Sequence, residues 1–144
     1  MRTLKYNDQS GMREYAERVI GVTLRNDAAF IGVGDDDGYS AVFGFDTFSP
    51  SNCYMHIAAE HGLLPLGRDY PYILRWVFDY PFNQCGLRRV SSLVTASNKV
   101  SYALTSKRGG QLEGIMRGAG ENGEDMYLFG MLREECRWLS PKPF

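Results

Sequence analysis

Polar side chains that could take part in chemistry lie near the ends of predicted strands and helices. Glu60 follows a predicted strand over Cys53–Ala59, and a carboxylate at such a strand end can act as a general base, with His61 beside it as a second candidate. Asn98 and Ser101 lie one turn apart at the start of a predicted helix, so that both point to one side. Each of these residues also has a structural interpretation. Glu60 and His61 could be solvated loop residues, Asn98 a helix cap and Ser101 a surface serine.

The pair Cys53 and His56 has a spacing that invites a metal interpretation. Side chains on a strand alternate between its two faces, so these two point to opposite sides. The chain has three cysteines and two histidines, and no second pair completes a set of four ligands. We therefore predict no metal site, and no catalytic cysteine–histidine pair either, because no third group is set to orient the histidine.

Two further segments have both a binding and a structural interpretation. The loop over Gly118–Asp125 is glycine-rich, but its three acidic residues favour a hairpin loop over a phosphate site. Six aromatic residues between Tyr70 and Phe82 could stack on nucleobases. With no basic stripe beside them, packing or the surface of a homodimer is the better explanation.

Composition narrows the function classes. A chain of 144 residues fits one domain, which we place at 1–144. Sixteen basic and seventeen acidic residues give a net charge of −1, which argues against nucleic acid as a partner. No apolar run approaches the ~20 residues of a membrane span, and three scattered cysteines predict reduced thiols in the cytoplasm rather than a disulfide framework.

In the first half, the hydrophobic pattern predicts one helix among strands. Thr3–Asn7 alternates like an edge strand, and apolar residues from Met12 to Ile20 recur with helical spacing. Ala28–Gly34 and Tyr39–Phe45 form a predicted hairpin, because the acidic turn between them ends in glycine.

The second half predicts two helices and three strands after Cys53–Ala59. A loop over His61–Arg68 leads to a helix capped by Asp69, and Pro81 should kink or end that helix. The next predicted elements are the strand Arg89–Thr95, the helix Asn98–Lys107 and the strands Gln111–Arg117 and Met126–Leu132. The whole order predicts a mixed sheet with helices on it, an α/β (α+β) domain.

Four short motifs follow one another in the second half. They are Gly86-Leu87-Arg88-Arg89-Val90 before a strand, Asn98-Lys99-Val100-Ser101 opening a helix that ends at Gly109, Glu113-Gly114 followed by Arg117, and Asp125-Met126-Tyr127 followed by Met131-Leu132. This succession, over Arg68 to Leu132, resembles the GNAT superfamily of N-acyltransferases. Within it, the chain resembles the branch that includes ribosomal-protein N-terminal acetyltransferases, and it is similar to short GNAT proteins of tailed phages.

The resemblance implies a fold and an activity. The fold is a mixed, mostly antiparallel sheet of about six to seven strands, flanked by about three to four helices. The activity is transfer of an acetyl group from acetyl-CoA to a primary amine of a protein or small molecule, by direct attack of the amine on the thioester and without a metal. The alternative is a catalytically inactive protein of the same fold that binds another protein.

The resemblance also implies site residues. The strand edge at Ile57, Ala58 and Ala59 would pair with the amides of pantetheine, as an added strand does. Asn98, with Ser101 and Tyr102 on the same helix, would contact the CoA arm. Glu60 would be the general base.

The chain departs from the family pattern at two places. A phosphate-binding loop R/Q-x-x-G-x-G/A usually precedes the main helix, whereas here Gly67 stands near the place of several glycines. Arg68 would supply charge there, and Asp69 would repel phosphate. A tyrosine that protonates the leaving thiolate is replaced by Thr105, so Tyr127 is the substitute that we predict.

Overall fold

The computed structural model describes residues 2–139, in which seven strands form one sheet. The sheet order is β1-β2-β3-β4-β5-β7-β6, and the neighbours are antiparallel except for the parallel pair β4–β5. This confirms the predicted mixed, mostly antiparallel sheet. The strands are β1 Thr3–Lys5, β2 Ala29–Asp35, β3 Gly38–Asp46, β4 Asn52–Ala58, β5 Arg89–Thr95, β6 Gln111–Met116 and β7 Met126–Leu132.

Three α-helices lie in the described residues, as the sequence predicts. They are α1 Gln9–Ile20, α2 Tyr70–Asp79 and α3 Lys99–Lys107. The Asp8 side chain accepts a hydrogen bond from the Gly11 N–H at 3.1 Å and caps α1. Gly21 ends the same helix in the left-handed conformation that glycine adopts without strain.

The connection from β4 to α2 differs from the prediction. Instead of a plain loop, the segment Leu64–Asp69 forms a 3-10 helix that is interrupted at Gly67, whose φ is 60°. Asp69 precedes α2, but its side chain makes no capping hydrogen bond, so the predicted cap is wrong. Pro81 acts as expected: α2 ends at Asp79, and a π-helical turn over Tyr80–Gln84 follows.

The two faces of the sheet are packed differently. One face carries the larger core, in which α2 packs on β2, β3 and β4 through Leu74, Val77 and Phe43. On the opposite face, α1 packs over β2, β3 and β4 and forms a smaller core with Met12 and Phe30. The side of the sheet that carries α3 and β6 is packed less tightly, because no residue of either element is buried. No helix in residues 2–139 has both the length and the apolar character needed to cross a membrane.

Candidate active site

The sheet opens between β4 and β5. These two strands pair over Asn52–Tyr54 and Arg89–Ser91 and then part, while β4 stays paired with β3 as far as Ala58. Beyond the parting point, the Ser92 hydroxyl donates to the Met55 carbonyl at 3.4 Å. A strand edge released from its ladder offers N–H and C=O groups to an extended ligand.

A cleft lies beneath the point where the strands part, on the face covered by α2. Its unfilled space, including the part that is open to solvent, is about 530 Å³, of which the centre of a water-sized sphere can occupy about 50 Å³. Its walls are mostly apolar, which suits an alkyl arm that carries a few polar groups. Its lining includes Met55 and Ile57 of β4, Val90 and Ser92 of β5, Phe129 and Met131 of β7, Leu74 and Phe78 of α2, and Thr105 and Arg108 at the end of α3.

A histidine–aspartate pair lies on the opposite face of β4. His56 stands between Met55 and Ile57, and strand alternation turns it away from the cleft that both neighbours line. Its Nε2 lies 2.8 Å from Oδ1 of Asp46, the last residue of β3. About 29% of the His56 side chain is exposed, compared with 5% of the Asp46 side chain.

Buried Asp46 is held by hydrogen bonds. Its Oδ2 accepts from the Arg25 N–H at 3.1 Å, and its Oδ1 accepts from the Thr47 hydroxyl at 3.3 Å. An ionised carboxylate can only accept, so the His56 nitrogen that faces it carries the hydrogen. In the neutral form of the ring, the other nitrogen, Nδ1, is then the one that can accept a proton.

Cys53 does not compete for this role. It is fully buried in the larger core, on the face opposite His56. Burial is the main cause that raises the pKa of the Cys53 thiol to about 12, and nearby Cys85 adds to the effect. The thiol therefore stays protonated at neutral pH, and a protonated thiol is a poor nucleophile.

One end of the cleft carries a cation. Arg108 caps the C-terminus of α3, and its guanidinium lies 4.4 Å from the ring centroid of Tyr70, the first residue of α2. The Trp138 indole N–H donates to the Arg108 carbonyl at 2.8 Å and holds the backbone there. Burial, followed by repulsion from Arg137, lowers the pKa of the Arg108 guanidinium.

Comparison with solved structures gives matches over nearly the whole chain. A variant of the spermidine N-acetyltransferase SpeG from Vibrio cholerae has a TM-score of 0.74 at 14% identity, covering 96% of this chain and 98% of that one. A candidate phosphinothricin N-acetyltransferase has a TM-score of 0.66 at 18% identity, covering 97% and 99%. A probable acetyltransferase has a TM-score of 0.67 at 15% identity, covering 93% and 94%. Comparisons with protein-family models and with curated protein sequences found no match.

The chain has the GNAT fold. At these identities the likeness establishes the fold alone, so the roles of residues rest on the geometry of this chain.

The predicted cofactor-binding residues in and after β4 differ in their surroundings. Ile57 lines the cleft, while Ala58 faces the other way, into the core under α1. Ala59, just past the end of β4, packs against the larger core. Gly67 and Arg68 are exposed within the 3-10 segment before α2.

The predicted residues of α3 and β7 lie beside the cleft rather than in its lining. The Asn98 side chain accepts from the Ser101 N–H at 3.0 Å, so it caps α3. The Tyr102 ring packs edge-on against Tyr127 at 5.2 Å and Phe129 at 5.1 Å, between centroids. These contacts bring Tyr102 and Tyr127 together at the sheet, next to a residue that lines the cleft.

Glu60 is placed near the opening but in a solvated position. Its Oε1 lies 3.4 Å from Arg18 Nη1, and 46% of its side chain is exposed. Its N–H donates to the Tyr15 hydroxyl at 3.2 Å. From the sequence, His56 is considered only as a metal ligand or as the partner of Cys53, and Asp46 is not identified as the third group that orients the histidine. The alternation of side chains along β4 was enough to predict that His56 faces away from Ile57. The pairing of His56 with Asp46 depends on the register of β3 against β4, which the sequence pattern does not give.

Proposed function

We propose that this protein is an acyl-CoA-dependent N-acyltransferase that moves an acetyl group from acetyl-CoA to a primary amine. One observation carries the proposal: β4 and β5 part over an apolar cleft, and an oriented imidazole stands on the opposite face of β4. A donor in the cleft and an amine on the opposite face would meet at the gap. The names of the structural neighbours, which are acetyltransferases, support the same activity.

The free edge of β4 binds the donor arm in this proposal. Backbone groups of Ile57, Ala58 and Ala59 pair with the pantetheine amides, and Ile57 and Phe129 contact its methylene groups. Asn98 and Ser101 open α3 directly after β5, and with Tyr102 they remain our proposed contacts at the acyl end. The donor supplies an activated acyl group as a thioester.

The paired His56 acts as the proton acceptor. An alkyl amine is protonated at neutral pH and must lose a proton before it forms the N–C bond. His56 Nδ1 takes that proton, and Asp46 stabilises the imidazolium that results. Neighbouring strands of a sheet lie ~5 Å apart, so about this distance separates β4 from the place where β5 would pair with it. One bridging water can span that distance. Glu60 is the alternative acceptor, and Tyr127 is the candidate for returning a proton to the leaving thiolate.

The nature of the acceptor is the open part of the proposal. Because a spermidine N-acetyltransferase is among the structural neighbours, polyamines are the first acceptors to test, followed by peptides with a free N-terminus.

The second candidate function is a catalytically inactive protein that binds a partner. It is favoured by the 3-10 segment Leu64–Asp69, which stands where GNAT proteins usually bind phosphate.

The test is acetylation of an amine panel, read by mass spectrometry. Purified protein is incubated with acetyl-CoA and with spermidine, lysine-containing peptides and peptides with free N-termini. We expect a mass increase of one acetyl group on at least one class, with release of CoA. No acetyl-CoA binding and no product on any class would instead support the partner-binding function.

A further inference from the structure

Several backbone N–H groups of the segment before α2 are already used within the protein. Among its residues, the N–H groups of Gly62, Leu66 and Tyr70 already bond to the carbonyls of Ala59, Leu63 and Gly67. Pro65 and Pro71 have no N–H group at all. An array of free amides at a helix start, which is the usual cradle for phosphate, is therefore incomplete here.

A positively charged side chain from the end of α3 lies over the start of α2. The Arg108 guanidinium reaches from the end of α3 to the ring of Tyr70, where α2 begins. Within residues 2–139, no carboxylate forms an ion pair with Arg108. Its Nε is buried and has no hydrogen-bond partner in that part of the chain, and the same holds for the Tyr70 hydroxyl.

This arrangement is costly without an anion. The Nε of Arg108 is removed from water without a hydrogen-bond partner, which is unfavourable, and burial is the main cause of the lowered pKa of this side chain. Arg137, whose guanidinium also binds the Lys107 carbonyl, adds like-charge repulsion. A phosphate oxygen at this position would satisfy donors of Arg108 and offset the repulsion.

Further cations continue along the outer side of α3. A shallow groove there is lined by Lys99, Val100, Lys107 and Arg108. Lysine and arginine together with an exposed apolar side chain suit a ligand with phosphate groups and a flat apolar ring. Arg108 lines both this groove and the cleft.

We infer that Arg108, at the end of α3, binds the diphosphate of the nucleotide-bearing donor and takes over the task of the missing loop amides. This inference rests on the proposed function, because it assumes that the donor arm occupies the cleft. It assigns the phosphate contact to a side chain that stacks on Tyr70, not to the backbone between β4 and α2.

The experiment is calorimetric titration of coenzyme A into the wild type, Arg108→Gln, Arg108→Lys and Arg117→Gln, each at several sodium chloride concentrations. Arg117 lies just beyond β6, so Arg117→Gln changes the net charge equally without touching the cleft. We expect Arg108→Gln to weaken binding by about 10-fold or more and to reduce its salt dependence, because one charged contact is lost. Arg108→Lys should keep the salt dependence and part of the affinity, and Arg117→Gln should match the wild type.

Three outcomes would overturn the inference. Equal affinity of Arg108→Gln and the wild type would show that the phosphates bind elsewhere. Weaker binding with an unchanged salt dependence would assign Arg108 to packing on Tyr70. Failure of the wild type to bind coenzyme A would remove the proposed function, and this inference with it. Circular dichroism and urea unfolding of each variant separate these results from loss of the fold.

Discussion

The two sides of the sheet differ in how completely they are packed. In β3 every residue from Ala41 to Asp46 is buried, and helices cover both faces of the sheet at that strand. In β6 no residue is buried, and Leu112, Ile115 and Met116 are all about half exposed. The packed side holds the fold and fixes the His56–Asp46 pair, whereas the open side leaves surfaces for ligands. Stability should therefore depend on β3 far more than on β6.

The largest expected effect is on stability. Phe43 of β3 is fully buried, so Phe43→Ala should lower the free energy of unfolding by about 3–5 kcal/mol, through lost burial and the cavity that remains. Ile115→Ala on β6, where 55% of the residue is exposed, should cost less than about 1 kcal/mol. Urea unfolding measures both. Similar losses for the two variants would contradict the proposed division of the sheet.

The next effect is on acyl transfer. Replacing the proton acceptor should lower kcat/KM by about 10²- to 10⁴-fold, so we expect this loss for His56→Ala with any amine that the panel identifies. Added imidazole should restore part of the rate, which a structural role for His56 would not allow. Glu60→Gln is the matched control, and its rate should stay close to wild type. A slow Glu60→Gln enzyme beside an active His56→Ala enzyme would transfer the role to Glu60.

The smallest effect belongs to an ion pair on the open side. Arg89 donates to both carboxylate oxygens of Glu113, at 2.9 and 2.6 Å, and these hydrogen bonds lower the pKa of Glu113. The carboxylate is ionised at neutral pH, so the pair stabilises the fold there. That contribution is lost as the pH falls through the lowered pKa, because the protonated acid no longer attracts Arg89.

Solvent screens this partly exposed pair, so Glu113→Gln should cost only about 0.5–1 kcal/mol at pH 7. The difference from wild type should decrease as the pH falls below the unfolded-state pKa of glutamate and vanish only below the lowered folded-state pKa, where the carboxyl group is protonated in both states. Glu121→Gln, in the exposed loop after β6, is the control and should have no effect. A cost for Glu113→Gln that does not decrease on acidification would point to packing instead of charge.

The elements could be predicted from local patterns, but the site could not. Helical spacing gave α1, and strand alternation with turn glycines gave the hairpin of β2 and β3, because both signals lie within one segment. The pairing of His56 with Asp46 depends on the register of β3 against β4, and the contact of Arg108 with Tyr70 depends on how the tertiary fold brings the end of α3 to the start of α2. The predicted cap at Asp69 failed because the preceding residues coil into a 3-10 helix and supply no capping geometry.

Calorimetric titration of acetyl-CoA into cleft variants tests the central claim most directly. Ser92 lines the cleft, whereas Leu93 faces the opposite surface, so Ser92→Trp should fill the cleft and Leu93→Trp should leave it open. We expect the wild type and Leu93→Trp to bind acetyl-CoA with similar affinity, and Ser92→Trp to bind at least about 10-fold more weakly while remaining folded. Equal binding by all three proteins would show that the donor does not lie between β4 and β5.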